Sequence, residues 1–91
     1  MNNLFISYDL HAPVKNYDRV ISKIKSLGGV PVLKSMWYLK STSTASEVSK
    51  VIWAVMDADD TLLVVDSKNN SFSGYNLSEL AKKRLVEDWQ K

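Results

Sequence analysis

The sequence has no cysteine, two prolines and a single histidine among its 91 residues. Without cysteine the chain can form neither a disulfide framework nor a thiolate metal site. No apolar run approaches the roughly 20 residues needed to cross a bilayer, and the amino terminus shows no basic region or small-residue cleavage site. We therefore expect one small cytoplasmic domain over residues 1–91, with its core in 1–67, a loop and helix in 68–91, and no membrane partner.

Apolar residues make up 45% of the chain, and the formal net charge is +2. That balance excludes an intrinsically disordered chain, which requires low hydrophobicity and high net charge. The basic residues are almost all lysines, and so small a positive excess permits phosphate binding without requiring it. The sequence contains neither a glycine-rich phosphate loop nor an HExxH pattern, which argues against nucleotide-dependent and zinc chemistry.

Apolar periodicity predicts the order β-α-β-β-α-β followed by one more helix. The predicted strands are residues 4–10, 30–33, 36–40 and 61–67, and the predicted helices are 16–27, 44–57 and 77–90. Thr44 and Glu47 have the spacing of a capping box, and Gly28 begins the pair of glycines that ends the first helix. The polar stretch 68–74 is expected to be a loop, and Asn76 with Glu79 is expected to cap the last helix.

Two split β-α-β units in one chain are typical of an α+β, ferredoxin-like fold, an antiparallel sheet with both helices on one face. Right-handed crossovers place the first and third strands at the centre and the second and fourth strands at the edges. Pro31 agrees with an edge position for the second strand, because proline lacks the backbone donor that a central strand requires.

The fourth strand is apolar on both faces from Leu62 to Val65, which an edge strand with one wet face does not need. Phe5 and, depending on the register, Met36 and Tyr38 add to the face away from the helices. Either a second copy of the chain or the carboxy-terminal helix, through Leu85 and Trp89, must cover this surface. We predict a homodimer through it, with intramolecular cover by the helix as the alternative.

The first strand reads Leu4-Phe5-Ile6-Ser7-Tyr8-Asp9-Leu10, and after a helix and two glycines comes Val32-Leu33-Lys34-Ser35-Met36-Trp37-Tyr38. This arrangement, which covers residues 1–67, resembles the second CRISPR-associated family, called Cas-two here. It is also similar to small SinR-family proteins and, more distantly, to VapD toxins. The resemblance implies a ferredoxin-like homodimer that binds nucleic acid, acting as a metal-dependent nuclease in some members and as a structural component of an integration complex in others.

The resemblance also implies roles for two residues, since the family's metal-site aspartate maps onto Asp9 and its strand serine onto Ser35. The sequence departs from the family at three places. His11-Ala12-Pro13-Val14 stands where basic residues are common, Leu33 stands where glutamine is frequent, and a helix from Leu77 stands in place of the family's terminal strand. Since that terminal strand completes the partner's sheet in family members, the resemblance does not extend the family's contacts with the integrase to this chain.

The predicted topology brings Asp59 and Asp60, at the start of the fourth strand, toward Asp9, with Ser35 entering from the third strand. Carboxylate and hydroxyl oxygens suit Mg²⁺ or Mn²⁺, which activates water for phosphodiester hydrolysis. In a dimer, two copies of Asp9 would share one ion. The alternative is structural: Asp59 and Asp60 form a turn that caps a strand, and Asp9 holds loop amides.

His11 follows Asp9 by two residues and is a candidate general acid or base, although a lone loop histidine is more often simply solvated. Lys15, Arg19 and Lys34 are expected to lie toward the same end of the sheet and are the candidate nucleic-acid contacts. The three tryptophans occupy apolar positions, which favours core or interface packing over base stacking.

Two function hypotheses follow. The first is a Cas-two-like homodimer that binds nucleic acid, and the Asp9, His11 and Ser35 set makes it a candidate metal-dependent nuclease that uses Mg²⁺ or Mn²⁺. The second is a non-catalytic protein-interaction module without a cofactor, either a phage or mobile-element factor or a Cas-two-like structural protein, that acts on a host complex. A structural or toxin-like role of the VapD type is a third, less favoured option.

Overall fold

The structure, a computed structural model, describes residues 1–11 and 15–89, and the side chains of Lys15 and Asn16 lie outside that description. The elements are β1 (Asn2–Asp9), α1 (Lys15–Ser26), β2 (Val30–Leu33), β3 (Met36–Ser41), α2 (Ala45–Trp53), β4 (Thr61–Asp66), β5 (Ser71–Tyr75) and α3 (Glu79–Asp88). The five strands form one antiparallel sheet in the order β2-β3-β1-β4-β5. None of the described helices is long and apolar enough to cross a membrane.

The core lies between one face of the sheet and the helices α1 and α2. Alternate residues of β1, β3 and β4 point to that face, since successive strand residues point to opposite sides of a sheet. The buried core residues are Leu4, Ile6, Tyr8, Val20, Ile24, Trp37, Leu39, Ala45, Val48, Ile52, Leu62 and Val64. The burial of Trp37 confirms its predicted packing role.

Local sequence signals mark the start of α2 and the end of α1. Thr44 Oγ1 accepts a hydrogen bond from the Glu47 amide, and the Glu47 carboxylate accepts one from the Thr44 amide, so the predicted capping box is confirmed. After α1, Gly28 adopts a φ of 98°, a left-handed conformation that favours glycine at a helix terminus.

Pro31 lies on an edge strand, and β1 and β3 lie inside the sheet, as predicted. The prediction that the fourth strand would be an edge is wrong, because β5 pairs with β4 from Leu62 to Asp66. The stretch 68–74, predicted as a loop, therefore contains most of a strand. Asn70, with a φ of 53°, ends the hairpin turn in a left-handed conformation that asparagine tolerates.

The last helix is shorter than predicted, and its cap differs from the predicted one. Ser78 is the N-cap, and its hydroxyl accepts a hydrogen bond from the Ala81 amide at 3.1 Å. Asn76 instead donates from its side chain to the carbonyls of Ala58 and Asp60, which ties the end of β5 to the loop before β4. No residue of α3 is buried.

Candidate functional site

The sheet face opposite α1 and α2, which we call the open face, carries a row of apolar side chains. The strand registers place Tyr38 beside Phe5, Phe5 beside Val65, and Val65 beside Phe72. These four residues, three aromatic rings with Val65 between two of them, are called the aromatic row, and all four are partly exposed. Met36 lies on the same face beside Ser7, so the predicted grouping of Phe5, Met36 and Tyr38 is confirmed.

The carboxy-terminal segment covers one end of this row. The indole of Trp89 packs edge-on against Phe72, with ring centroids 4.6 Å apart, and its Nε1 donates to the Asn70 carbonyl at 2.8 Å. Intramolecular cover by Trp89 is therefore present at the β5 end of the open face. At the other end of the row, Phe5 and Tyr38 contact each other with centroids 5.4 Å apart.

A recess of about 200 Å³ lies where β1 ends, and we call it the Asp9 recess. Its lining residues are Ser7, Tyr8, Asp9, Ser35, Thr61, Leu63 and Leu77. Asp9 is exposed and paired with Thr61 across the strands, and the Ser35 carbonyl accepts a hydrogen bond from the Tyr8 amide at 3.2 Å. Asp9 and Ser35, two of the three candidate catalytic residues, therefore line the same recess.

Asp60 is fully buried, and its carboxylate holds two loops together. Oδ1 accepts from the His11 amide and Oδ2 from the Asp57 amide, each at 2.8 Å. Both oxygens therefore bind backbone donors, an arrangement that matches the structural alternative for this residue. His11 enters the contact through its backbone, and its side chain is exposed.

Among the described residues, Asp57, Asp59 and Asp60 have carboxylate oxygens within 4.8 Å of one another. Asp9 is not a member of this group, so the predicted set of Asp9, Asp59 and Asp60 is not brought together in one protomer. Asp57 also lies 3.8 Å from Arg19, and Asp60 is engaged by amides. The contacts of Asp57 and Asp60 are those of the structural alternative, in which these side chains hold the loop.

The fit of a divalent cation to the Asp9 recess rests on the chemistry of its donors. One carboxylate and the hydroxyls of Ser7, Ser35 and Thr61 are hard oxygen donors of the kind that Mg²⁺ and Mn²⁺ bind. Mg²⁺ is commonly held by one or two carboxylates together with water and substrate phosphates. The residues present therefore fit a cation that is bound together with a phosphate-bearing ligand.

The candidate basic residues lie in different surroundings. Arg19 lines a groove between α1 and the segment that follows α2, and it pairs with Asp57. Lys34 is exposed in the turn before Ser35, and its carbonyl accepts a hydrogen bond of 3.5 Å from Tyr8 Oη. Lys15 begins α1, and its side chain lies outside the described residues.

Sequence reasoning missed a second pair of cations, Lys40 and Lys68. Lys40 lies on the open face, two residues beyond Tyr38 on β3, and Lys68 lies in the turn after β4. A hydrogen bond with Lys68 and the positive charges of Lys68 and Lys40 lower the pKa of the Met1 amino group. The alternation of side chains along β3 predicts the face on which Lys40 lies. That Lys68 lies at the same end of the sheet follows only from the pairing of β1 with β3 and β4, which the sequence does not give.

Comparison of the chain with protein-family models, with curated proteins and with solved structures finds no match.

Proposed function

We propose that this chain is a small nucleic-acid-binding protein of ferredoxin-like fold that holds its ligand on the open face. The order of its first four strands, with β1 and β3 between β2 and β4, supports the ferredoxin-like assignment. The observation that carries the functional proposal is that the partly exposed rings of Phe5 and Tyr38 and the exposed Lys40 share the face opposite α1 and α2. Aromatic rings beside cations suit a ligand that has both bases and phosphates.

We further propose that the Asp9 recess cleaves this ligand with Mg²⁺ or Mn²⁺. A cation bound there supplies a Lewis acid that polarises a phosphoryl oxygen and activates water. Asp9 would hold that cation through its carboxylate, and the hydroxyl of Ser35 would orient the phosphate or a bound water. The Thr61 hydroxyl donates to the Asn76 carbonyl and would serve only as an acceptor or ligand oxygen. The recess adjoins the open face, because Ser7 and Leu63 line it and belong to that face.

Both proposals are tested with purified protein and labelled RNA and DNA at low salt. Binding is expected without metal, and cleavage is expected only when Mg²⁺ or Mn²⁺ is added and Asp9 is intact. Binding without cleavage would remove the nuclease proposal and keep the binding proposal. Absence of binding to any nucleic acid would contradict both.

A second candidate function is a non-catalytic module that binds a second copy of the chain or another protein. The exposed apolar side chains of α3 favour it, since Leu80 is 71% and Val86 70% exposed. Truncation before Leu77 would then abolish partner binding, whereas Asp9→Ala would leave it unchanged. The mass of the purified protein in solution shows whether the partner is a second copy.

A further inference from the structure

The rings of Phe5 and Tyr38 form the part of the aromatic row that the chain's own helix α3 leaves uncovered. They lie directly opposite each other on neighbouring strands, tilted by 49° with centroids 5.4 Å apart. Tyr38 Oη donates to Asn3 Oδ1 at 2.8 Å, which fixes the orientation of the ring on the sheet. Trp89 packs against Phe72, at the other end of the row. The sheet thus offers two positioned, partly exposed rings at its centre.

Positive charge lies at one end of this ring pair. Lys40 stands beside Asn3 in the register and is exposed on the open face, and Lys68 lies close to the Met1 amino group. Within the described part of the chain, neither lysine has a carboxylate within 4.0 Å. Lys68 also lies near Asp66, and its charge helps to lower the pKa of that carboxyl, so Lys40 is the cation on which the inference mainly rests. An exposed lysine without such a partner attracts an anion, and nucleic acid is the polyanion whose bases can stack on exposed rings.

We propose that the open face binds single-stranded nucleic acid, with unpaired bases stacked on Phe5 and Tyr38 and the sugar-phosphate backbone passing Lys40 and Lys68. This inference rests on the proposed nucleic-acid-binding function and narrows it to unpaired strands. In a duplex the base faces are stacked on one another, so rings on a sheet surface can reach them only when the strand is single. RNA and DNA share this chemistry of bases on a polyanionic backbone.

The ring contacts are tested by fluorescence anisotropy with labelled oligouridylate, oligothymidylate and a duplex of equal length. Phe5→Leu and Tyr38→Leu keep apolar bulk on the face and remove the ring, and each is expected to weaken single-strand binding about tenfold. Tyr38→Phe keeps the ring and is expected to retain most of the affinity. Thermal melting of each variant verifies that the sheet is intact.

The lysines are tested by the salt dependence of the same titrations. Lys40→Ala is expected to weaken binding and to reduce the slope of log affinity against log salt by about one phosphate contact. Lys25→Ala, an exposed lysine on α1 on the opposite side of the sheet, is the matched control and is expected to change neither quantity. Similar affinities for the RNA and DNA strands are expected, because no proposed contact involves the 2′-hydroxyl.

Three outcomes would overturn the inference. Unchanged single-strand affinity in both ring variants would show that the bases bind elsewhere. If the duplex bound more tightly than the single strands, and if Lys40→Ala weakened that duplex binding, base stacking would be rejected. The proposed nucleic-acid-binding function would then be retained. Absence of binding to every probe, with Phe5→Leu dissociating a dimer, would reject both and identify the open face as a contact between two copies of the chain.

Discussion

The carboxylate of Asp60 accepts a hydrogen bond of 2.8 Å from the backbone amide of His11, which joins the segment after β1 to the loop before β4. A second hydrogen bond, from the Asp57 amide, occupies the other carboxylate oxygen. This buried side chain therefore fixes the two segments that border the Asp9 recess. It positions the candidate site without contributing a ligand to it.

Asp60→Ala is expected to lower the free energy of unfolding by about 3 kcal/mol, because two backbone amides lose the charged acceptor that a buried carboxylate gives them. Urea unfolding at neutral pH measures this change. Asp59→Ala, at the exposed neighbouring position, is the control and is expected to change stability by less than about 0.5 kcal/mol. Equal losses in the two variants would contradict the structural role of Asp60.

Stability is expected to fall in acid through Asp66. Burial raises the pKa of this carboxyl, but hydrogen bonds from the Asn69 side chain and from the amides of Asn69 and Lys68 lower it below its ordinary value of 3.8. Since the folded pKa lies below the unfolded one, the stabilisation is complete above about pH 4 and is lost as the pH falls through the folded value.

Unfolding free energies measured between neutral pH and pH 2 test this dependence on Asp66. The variant Asp66→Asn is expected to be less stable at neutral pH and to lose less stability on acidification than the wild type. Parallel pH profiles for the two proteins would show that Asp66 does not contribute to the acid transition.

Asp9→Ala is expected to reduce Mg²⁺- or Mn²⁺-dependent cleavage by about a hundredfold or more, since Asp9 is the one carboxylate among the described residues that line the recess. Nucleic-acid affinity without metal is expected to remain, because Phe5, Tyr38 and Lys40 are unchanged. Glu87→Ala, an exposed carboxylate on α3, is the control for charge. Cleavage that persists in Asp9→Ala would place the activity outside the recess.

Trp89→Ala is expected to release α3 without unfolding the domain, because none of the α3 residues is buried and Trp89 anchors the helix to Phe72. Hydrogen exchange is expected to accelerate over residues 79–88 and to stay slow in β1 and β4. Lys83→Ala, exposed on the same helix, should leave both regions unchanged. Faster exchange in β1 would contradict an independent α3.

The sequence predicted the elements whose signals are local. The Thr44–Glu47 box and the glycine pair after α1 act within a few residues, and Pro31 excludes a central strand by its own chemistry. The double-sided apolar pattern of β4 also indicated an open face with Phe5 on it. Each of these follows from residue type and spacing alone.

The elements that the sequence did not predict depend on tertiary pairing. Ser71–Tyr75 has weak strand propensity, and it is a strand because its backbone completes the ladder of β4 while Ser73 and Tyr75 contact Ser49 and Trp53 of α2. The role of Asp60 depends likewise on an amide 49 residues away. Spacing along the chain carries no signal for either arrangement.

The open face as the nucleic-acid-binding surface is tested most directly by nuclear magnetic resonance of the protein titrated with a short oligouridylate. The largest chemical-shift changes are expected on the rings of Phe5 and Tyr38 and on the backbone of Lys40. No comparable changes are expected on α1 or on the exposed side of α2. Changes confined to the helices, or no change at any residue, would contradict this proposal.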